Sequence, residues 1–234
     1  IDYSTQAIIE VSGADRVSFL HNLLSQDIKG LAPGQARPAA LLSSNGKFIT
    51  PLLVIALPDS FWLLCDVTHA QILTQTLDRY LFSEAVTLTN YERSKAVFAC
   101  VGPRASERLR RWEDIPLHLV DYSVIGRKGL LVIVEADDAQ RFWTQTLGHG
   151  AVLELIPVGW EALNIARIEA GIPWFGIDFD ESNLLPETGL ETTLASDSKG
   201  CYIGQEIVAR MQTYGSANKK LVGLQLEGER VPAP

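Results

Sequence analysis

The sequence predicts an α+β protein built from antiparallel sheets, and three observations lead there. From Phe48 to about Glu154 the chain reads as ββα three times over, each block two short strands followed by a helical segment. Turn signals at Ser44-Asn45-Gly46 and Arg127-Lys128-Gly129 join neighbouring strands as hairpins, whose strands pair antiparallel. Gly126 and Gly129 do not form the G-x-G-x-x-G turn that would mark a dinucleotide-binding parallel sheet. Hairpins covered by helices on one side make an α+β domain.

In chain order, Ala7 to Val11 is a short apolar strand, and Ser12-Gly13-Ala14-Asp15 opens a helix. Ser12 is the expected cap, with Asp15 at the acidic position of a capping box. Val17, Leu20 and Leu24 give that helix an apolar face, and Gly30 with Pro33-Gly34 stops the run. Strands at 39–43 and 48–56 flank the Asn-Gly turn. A strand at 61–65 leads to a helix at about 68–80 capped by Asp66. Strands at 86–91 and 96–101 precede a short helix at 105–112. A hairpin over 117–125 and 130–135 then feeds a helix at 138–147. Pro157 introduces a helix at about 159–170, closed by Gly171 and Pro173, and 177–193 is rich in loops. Leu221 to Leu226 alternates like a strand.

The 234 residues suffice for more than one folding unit, and 47% hydrophobic with 21% charged residues is an ordinary globular composition. A net charge of −8 argues against a general nucleic-acid or anionic-membrane binder, which would be basic. No apolar run reaches the length that spans a bilayer. Ile1-Asp2-Tyr3-Ser4 lacks the basic and apolar regions of a leader. A cytoplasmic location is the expectation, with a mitochondrial matrix as the alternative.

Of three cysteines, Cys65 and Cys100 lie in apolar strands and read as small buried hydrophobes. Their spacing fits neither a disulfide framework nor a zinc site. His21, His69, His118 and His149 are scattered, so no metal site is assigned. Cys201 differs. It lies in Lys199-Gly200-Cys201-Tyr202-Ile203-Gly204-Gln205-Glu206, between a cation and the expected first turn of a helix. Both features favour thiolate, the nucleophilic and metal-binding form.

Two runs together carry a resemblance. The first is Arg167-Ile168-Glu169-Ala170-Gly171-Ile172-Pro173, continued by Gly176-Ile177-Asp178 and Leu185-Pro186-Glu187. With the Lys199–Glu206 run, these resemble the YgfZ branch of the YgfZ/GcvT folate-binding family. The N-terminal order agrees: Val11-Ser12-Gly13-Ala14-Asp15, Asp27-Ile28, Leu31-Ala32-Pro33-Gly34, and Leu41-Leu42 through Gly46. The cysteine run is the specific part; the Arg-x-Glu-x-Gly run is shared with the aminomethyltransferases of the glycine cleavage system.

The resemblance implies a GcvT-like folate-binding fold in a cloverleaf arrangement. Residues 1–47 with 155–220 would form a discontinuous folate-binding domain, and 48–154 an inserted ferredoxin-like domain. Residues 221–234 would begin a C-terminal barrel mostly absent from this chain. It implies tetrahydrofolate in a central cavity and a role in assembling or repairing iron–sulfur clusters of certain enzymes, including one that thiomethylates tRNA. Partners would be iron–sulfur assembly or client proteins, with no direct nucleic-acid contact and no membrane. The alternative is a folate-dependent one-carbon transferase or demethylase. One departure separates these readings. Aligned through Gly46 and Leu52-Leu53-Val54, the aminomethyltransferases' catalytic Asp pair falls on Thr50 and Pro51, and neither residue is a carboxylate.

Under the resemblance Glu169 is the carboxylate for the paired donors of a pterin edge, a bidentate match; otherwise it is a solvated acid. Arg167 either holds Glu169 in an ion pair or meets the folate tail. Asp178 and Glu187 contact the ligand or cap turns. Tyr202 shields the thiol or packs as core, and Gln205 contacts folate or completes the helix start. Cys201 is read as a reactive thiolate that takes a folate-borne group or transiently holds iron or sulfur, or as a redox-sensitive thiol that pairs with a partner, ahead of a small residue packing a helix start; Lys199 raises its thiolate fraction or is a surface lysine.

Overall fold

The computed structural model of the chain describes residues 1–91, 93–102, 104, 107, 109–110, 115–148, 155–215, 217 and 219–225. Its strands are β1 (Gln6–Ser12), β2 (Ala36–Leu42), β3 (Phe48–Ala56), β4 (Ser60–Asp66), β5 (Thr87–Asn90), β6 (Lys95–Val101), β7 (His118–Val120) and β8 (Gly129–Glu135). The helices are α1 (Arg16–Leu23), α2 (Ala70–Arg79), α3 (Ala136–Gly148), α4 (Trp160–Glu169), α5 (Glu191–Leu194) and α6 (Gln205–Tyr214).

Two antiparallel sheets form, in the orders β2-β3-β4-β1-β5 and β6-β8-β7. Strand alternation assigns each face. Ala7, Ile9 and Val11 of β1 join Leu52, Val54 and Leu63 under Leu20 and Leu24 of the α1 segment and Leu73 and Leu77 of α2. Ile8 points the other way, with Leu53, Ile55, Trp62 and Leu64, onto Val97, Ala99, Leu131 and Ile133 of the second sheet. The outer face of that sheet (Phe98, Leu130, Val132, Val134) is covered by Phe142 of α3. The result is four layers, helix–sheet–sheet–helix, a mixed α/β architecture with both sheets antiparallel. A third core joins Ala40, Leu42 and Phe48 to Phe179, Leu185, Leu194, Tyr202 and Val208, fastening the late part of the chain to the β2–β3 hairpin.

Several expectations change. The strands of the middle ββα block do not pair with each other: β5 adds to β1, and β6 pairs with β8. β3 and β4, expected in the inserted segment, are hydrogen-bonded into the sheet of β1 and β2, so a boundary at residue 48 cuts a continuous sheet. Alternation gives a strand its faces but not its partner. Helix α1 is not capped by Ser12. Asp15 occupies the N-cap without a side-chain cap, and its carboxylate instead accepts the Ala85 amide at 2.7 Å. The Asp66 cap does form, accepting from Thr68 N at 2.9 Å. Residues 221–225 carry no strand. The helix expected at 105–112 falls largely outside the described residues.

Candidate functional site

The Lys199–Glu206 run docks on the end of α1 and on the β2–β3 turn. A helix ends with carbonyls that lack helical partners and carry partial negative charge. Here Lys199, only 8% exposed, donates its ammonium hydrogens to His21 O and Leu24 O. The Tyr202 ring lies 4.9 Å from the same nitrogen, a cation–π contact. Ser25 ties the approach. Its hydroxyl donates to Leu194 O and accepts from Ala40 N (2.8 Å), its amide donates to Ala40 O (3.0 Å), and its carbonyl accepts from Ser196 N (3.1 Å).

These contacts correct two expectations about the thiol. Lys199 makes no hydrogen bond to Cys201; its ammonium is committed to α1. Nor does the helix begin directly after Cys201, as expected. Gly204 adopts φ 81° at the N-cap, which delays α6 to Gln205 and leaves Cys201 exposed in the preceding loop. The backbone reversal at Gly204 lets the loop press against the hairpin turn, with Ser43 O, Gly46 Cα and Gly46 N the atoms facing it. Cys65 is buried as expected, and burial pushes its thiol up to about 12; Cys100 is half-buried and also raised, chiefly by burial.

Burial lowers the Lys199 ammonium from 10.5 to about 8, with Asp27 raising it and Lys29 lowering it. Its neighbours also include His21, itself lowered mainly by burial, and Tyr202, raised to about 12 mainly by burial. Between about pH 8 and 10.5 the unfolded chain therefore holds a proton that the folded chain has lost, and folding becomes more favourable as pH rises through that window. Comparing urea unfolding of the wild type with Lys199→Met from about pH 7.5 to 10 isolates this term. The stability difference should move in favour of the wild type as pH rises; movement the other way would show that the carbonyl contacts outweigh burial.

A second neighbourhood forms where α4 ends. Arg167 is 3% exposed, with Nε donating to Asn164 Oδ1 at 2.8 Å and Nη1 to Ile172 O at 3.3 Å. Nη1 also forms an ion pair with Asp178 Oδ2, which accepts the Trp174 amide at 2.7 Å as well. The guanidinium carbon lies 4.8 Å from the centre of the Trp174 ring. Arg167 and Asp178, expected at a ligand, are thus spent on each other and pin the 172–178 loop. The structural ion pair forms, with Asp178 rather than Glu169 as partner. Glu169 is exposed and has no hydrogen-bond or ion-pair partner among the described residues.

Glu187 takes the turn-capping role: Oε2 accepts Leu184 N at 2.9 Å and Asn183 Nδ2 at 3.5 Å. Tyr202 is 8% exposed and belongs to the third core, and Gln205 is half-buried at the start of α6. Thr50 is buried, its hydroxyl donating to Pro51 O at 3.0 Å. Pro51 stands opposite Ala40, whose amide and carbonyl both bond Ser25, so the missing proline N–H leaves nothing unpaired there. The structure thus gathers Cys201, Lys199, Tyr202 and Gln205 at one place, and Arg167, Glu169 and Asp178 at another. Ser25, central to the first, has no sequence signal; a serine after an apolar helix looks like any other.

Among the described residues, no group of three or more His, Cys, Asp or Glu could hold a metal ion. No described helix is long and apolar enough to cross a membrane.

Comparison with known proteins agrees with this fold. The model of the GCVT N-terminal domain matches residues 1–125. The aminomethyltransferase of Bacillus subtilis (strain 168) is 27% identical over 99% of this chain and 69% of its own length. A chloroplastic Arabidopsis thaliana protein provisionally named a transferase is 26% identical over 99% of this chain and 57% of its own. The chain therefore spans little more than half of that relative. The crystal structure of glycine cleavage system aminomethyltransferase T from Bartonella henselae superposes with a TM-score of 0.79 at 21% identity, covering 92% of this chain and 63% of that one. The fold is that of this aminomethyltransferase, and the chain belongs to the GCVT N-terminal domain family.

Proposed function

We propose that the protein binds tetrahydrofolate and acts as an accessory factor in the assembly or repair of iron–sulfur clusters, presenting Cys201 to a partner protein. The observation that carries this reading is the character of β3. Where the resemblance puts a catalytic Asp pair in aminomethyltransferases, this chain has a buried Thr50, bonded to its own strand, and Pro51. That supports a folate scaffold without glycine-cleavage chemistry. The residues present fit the ligand at one point: Glu169 is an exposed carboxylate without a partner among the described residues, able to accept two parallel donors from a pterin edge. Bound tetrahydrofolate would supply the capacity to carry one-carbon groups. The chain's own part is to orient the pterin at Glu169, at the end of α4 beside the 172–178 loop that Arg167 and Asp178 hold. Cys201 is the exposed thiol among the three cysteines, accessible to a partner's cluster or thiol.

The second reading, a folate-dependent one-carbon transferase, draws on the aminomethyltransferase relatives at 24–27% identity. The test has two arms. Calorimetric titration with tetrahydrofolate should show saturable binding, weakened about tenfold or more in Glu169→Ala, as expected when a charged bidentate contact is lost. In cells, Cys201→Ala should lower the activity of cluster-dependent enzymes while leaving folate binding intact. Absence of saturable binding overturns the folate role, and unchanged cluster-enzyme activity overturns the cluster role. Turnover of a folate-borne carbon by the purified chain would instead establish the transferase.

A further inference from the structure

Of the chain's six asparagines, Asn45 alone precedes a glycine. In such a pair the glycine nitrogen can attack the asparagine side-chain carbonyl, because no Cβ screens it and the backbone bends freely. The other five asparagines precede Leu, Tyr, Ile, Leu and Lys, whose side chains obstruct that approach.

Asn45 stands exposed at the tip of the β2–β3 turn, and its side-chain amide has no hydrogen-bond partner among the described residues. The electrophile is therefore open to solvent and able to rotate. The nucleophile is held. Gly46 is buried, and its N–H donates to Ser43 O at 2.9 Å. Its carbonyl accepts Leu185 N at 3.4 Å, and α6 covers it: a Cβ on Gly46 would lie 3.0 Å from Ile207 Cβ. Gly204 closes the arrangement. A Cβ there would fall 2.5 Å from Ser43 O and 3.2 Å from Gly46 N. The Lys199–Glu206 run thus rests on both ends of the hydrogen bond that occupies the nucleophile.

We propose that Asn45 is a modification site, converted to aspartate and isoaspartate at a rate set by the seating of the Cys201 loop. Gly46 N gives its proton to solvent and bonds to Asn45 Cγ; the Cγ–Nδ2 bond breaks, ammonia leaves and a succinimide closes. Water then opens the ring. Cleaving the new N–Cγ bond gives aspartate on the original main chain. Cleaving the bond from Gly46 N to the Asn45 main-chain carbonyl carbon gives isoaspartate, whose main chain is one CH2 longer. That extra carbon enters a turn packed so closely on Gly204 that a single Cβ does not fit. Isoaspartate therefore lifts the loop off the turn, and with it Lys199 off the end of α1. The inference stands on the turn and uses neither the folate nor the cluster reading.

The test ages the 234-residue chain at neutral pH and body temperature, folded and in urea, and follows replacement of side-chain NH2 by OH through peptide masses. Asn45 should convert about tenfold or more slowly when folded, because the open turn is a minor state. Asn45 left intact in urea overturns the site, and equal rates in the two samples overturn the protection. Lys199→Met, checked for folding by circular dichroism, should convert about threefold or more faster than the folded wild type; an equal rate in the folded variant overturns the loop's part. A second arm needs no destabilised variant. The converted pool, separated by ion exchange through its added negative charge, should be cut by trypsin after Lys199 about tenfold faster than the intact chain. Asn45→Asp carries the same charge on an unlengthened main chain and should be cut at the wild-type rate. Equal cutting of pool and intact chain, or cutting of Asn45→Asp as fast as the pool, overturns the coupling.

Discussion

Replacing Asp178 with alanine is expected to lower the stability of the fold by about 3–5 kcal/mol, because it strands a buried guanidinium without its carboxylate. Arg167 is 3% exposed, and its other contacts, Asn164 Oδ1 and Ile172 O, are neutral acceptors that cannot balance the charge. The same substitution frees the Trp174 amide, so the 172–178 loop loses two anchors at once. Urea denaturation gives the number. A double variant, Arg167→Met with Asp178→Ala, discriminates the cause: removing both charges should be milder than removing the acid alone. If Asp178→Ala costs less than about 1 kcal/mol, the pair is no more than a surface contact. If the double variant is worse, packing of the guanidinium on Trp174 matters more than charge.

Gly204→Ala should be comparably damaging, by about 3 kcal/mol or more, through a different route. The φ of 81° already disfavours any L side chain by roughly 1–2 kcal/mol. A Cβ there would also fall 2.5 Å from Ser43 O and 3.1 Å from Gly46 Cα, both backbone atoms of a tight turn that cannot rotate aside. Gly46→Ala meets Ile207 Cβ and Cγ2 at 3.0 and 3.1 Å, also at positive φ, and should cost less because these contacts are longer than the 2.5 Å approach at Gly204. Gly200→Ala meets nothing within 4 Å and should stay within about 0.5 kcal/mol. Thermal denaturation of the three variants tests the order. An equal loss at positions 200 and 204 would mean that the hairpin contact does not hold the loop.

These two effects also show where sequence reading reaches its limit. The faces of β1 and β6, the Asn-Gly hairpin, the Asp66 cap and the inert character of Cys65 are local, and residue pattern carries them. Partnership is not local. β5 and β6 look like a hairpin by spacing, yet each finds a better-matched edge elsewhere. Lys199 adjoins Cys201 in the chain but serves carbonyls more than 170 positions away in sequence, as helix α1 needs a donor at its end. The two glycines of the motif look equivalent until Gly204 is seen to face Ser43 while Gly200 faces open space. Asp178, a turn residue by composition, becomes the counter-ion of Arg167 only once the α4 loop folds back.

Ser25 has a consequence for the order of events during synthesis. It bonds Ala40, made shortly afterwards, and also Leu194 and Ser196, made much later. At about 5–20 residues per second, translation reaches Lys199 roughly ten to thirty seconds after Ser25. Through that interval the nascent chain can close the β2 side of Ser25 while its remaining acceptor and the terminal carbonyls of α1 stay hydrated. The loop bearing Cys201 then seats only after β1 to β4 can have paired, so its thiol comes to rest on a sheet that is already built.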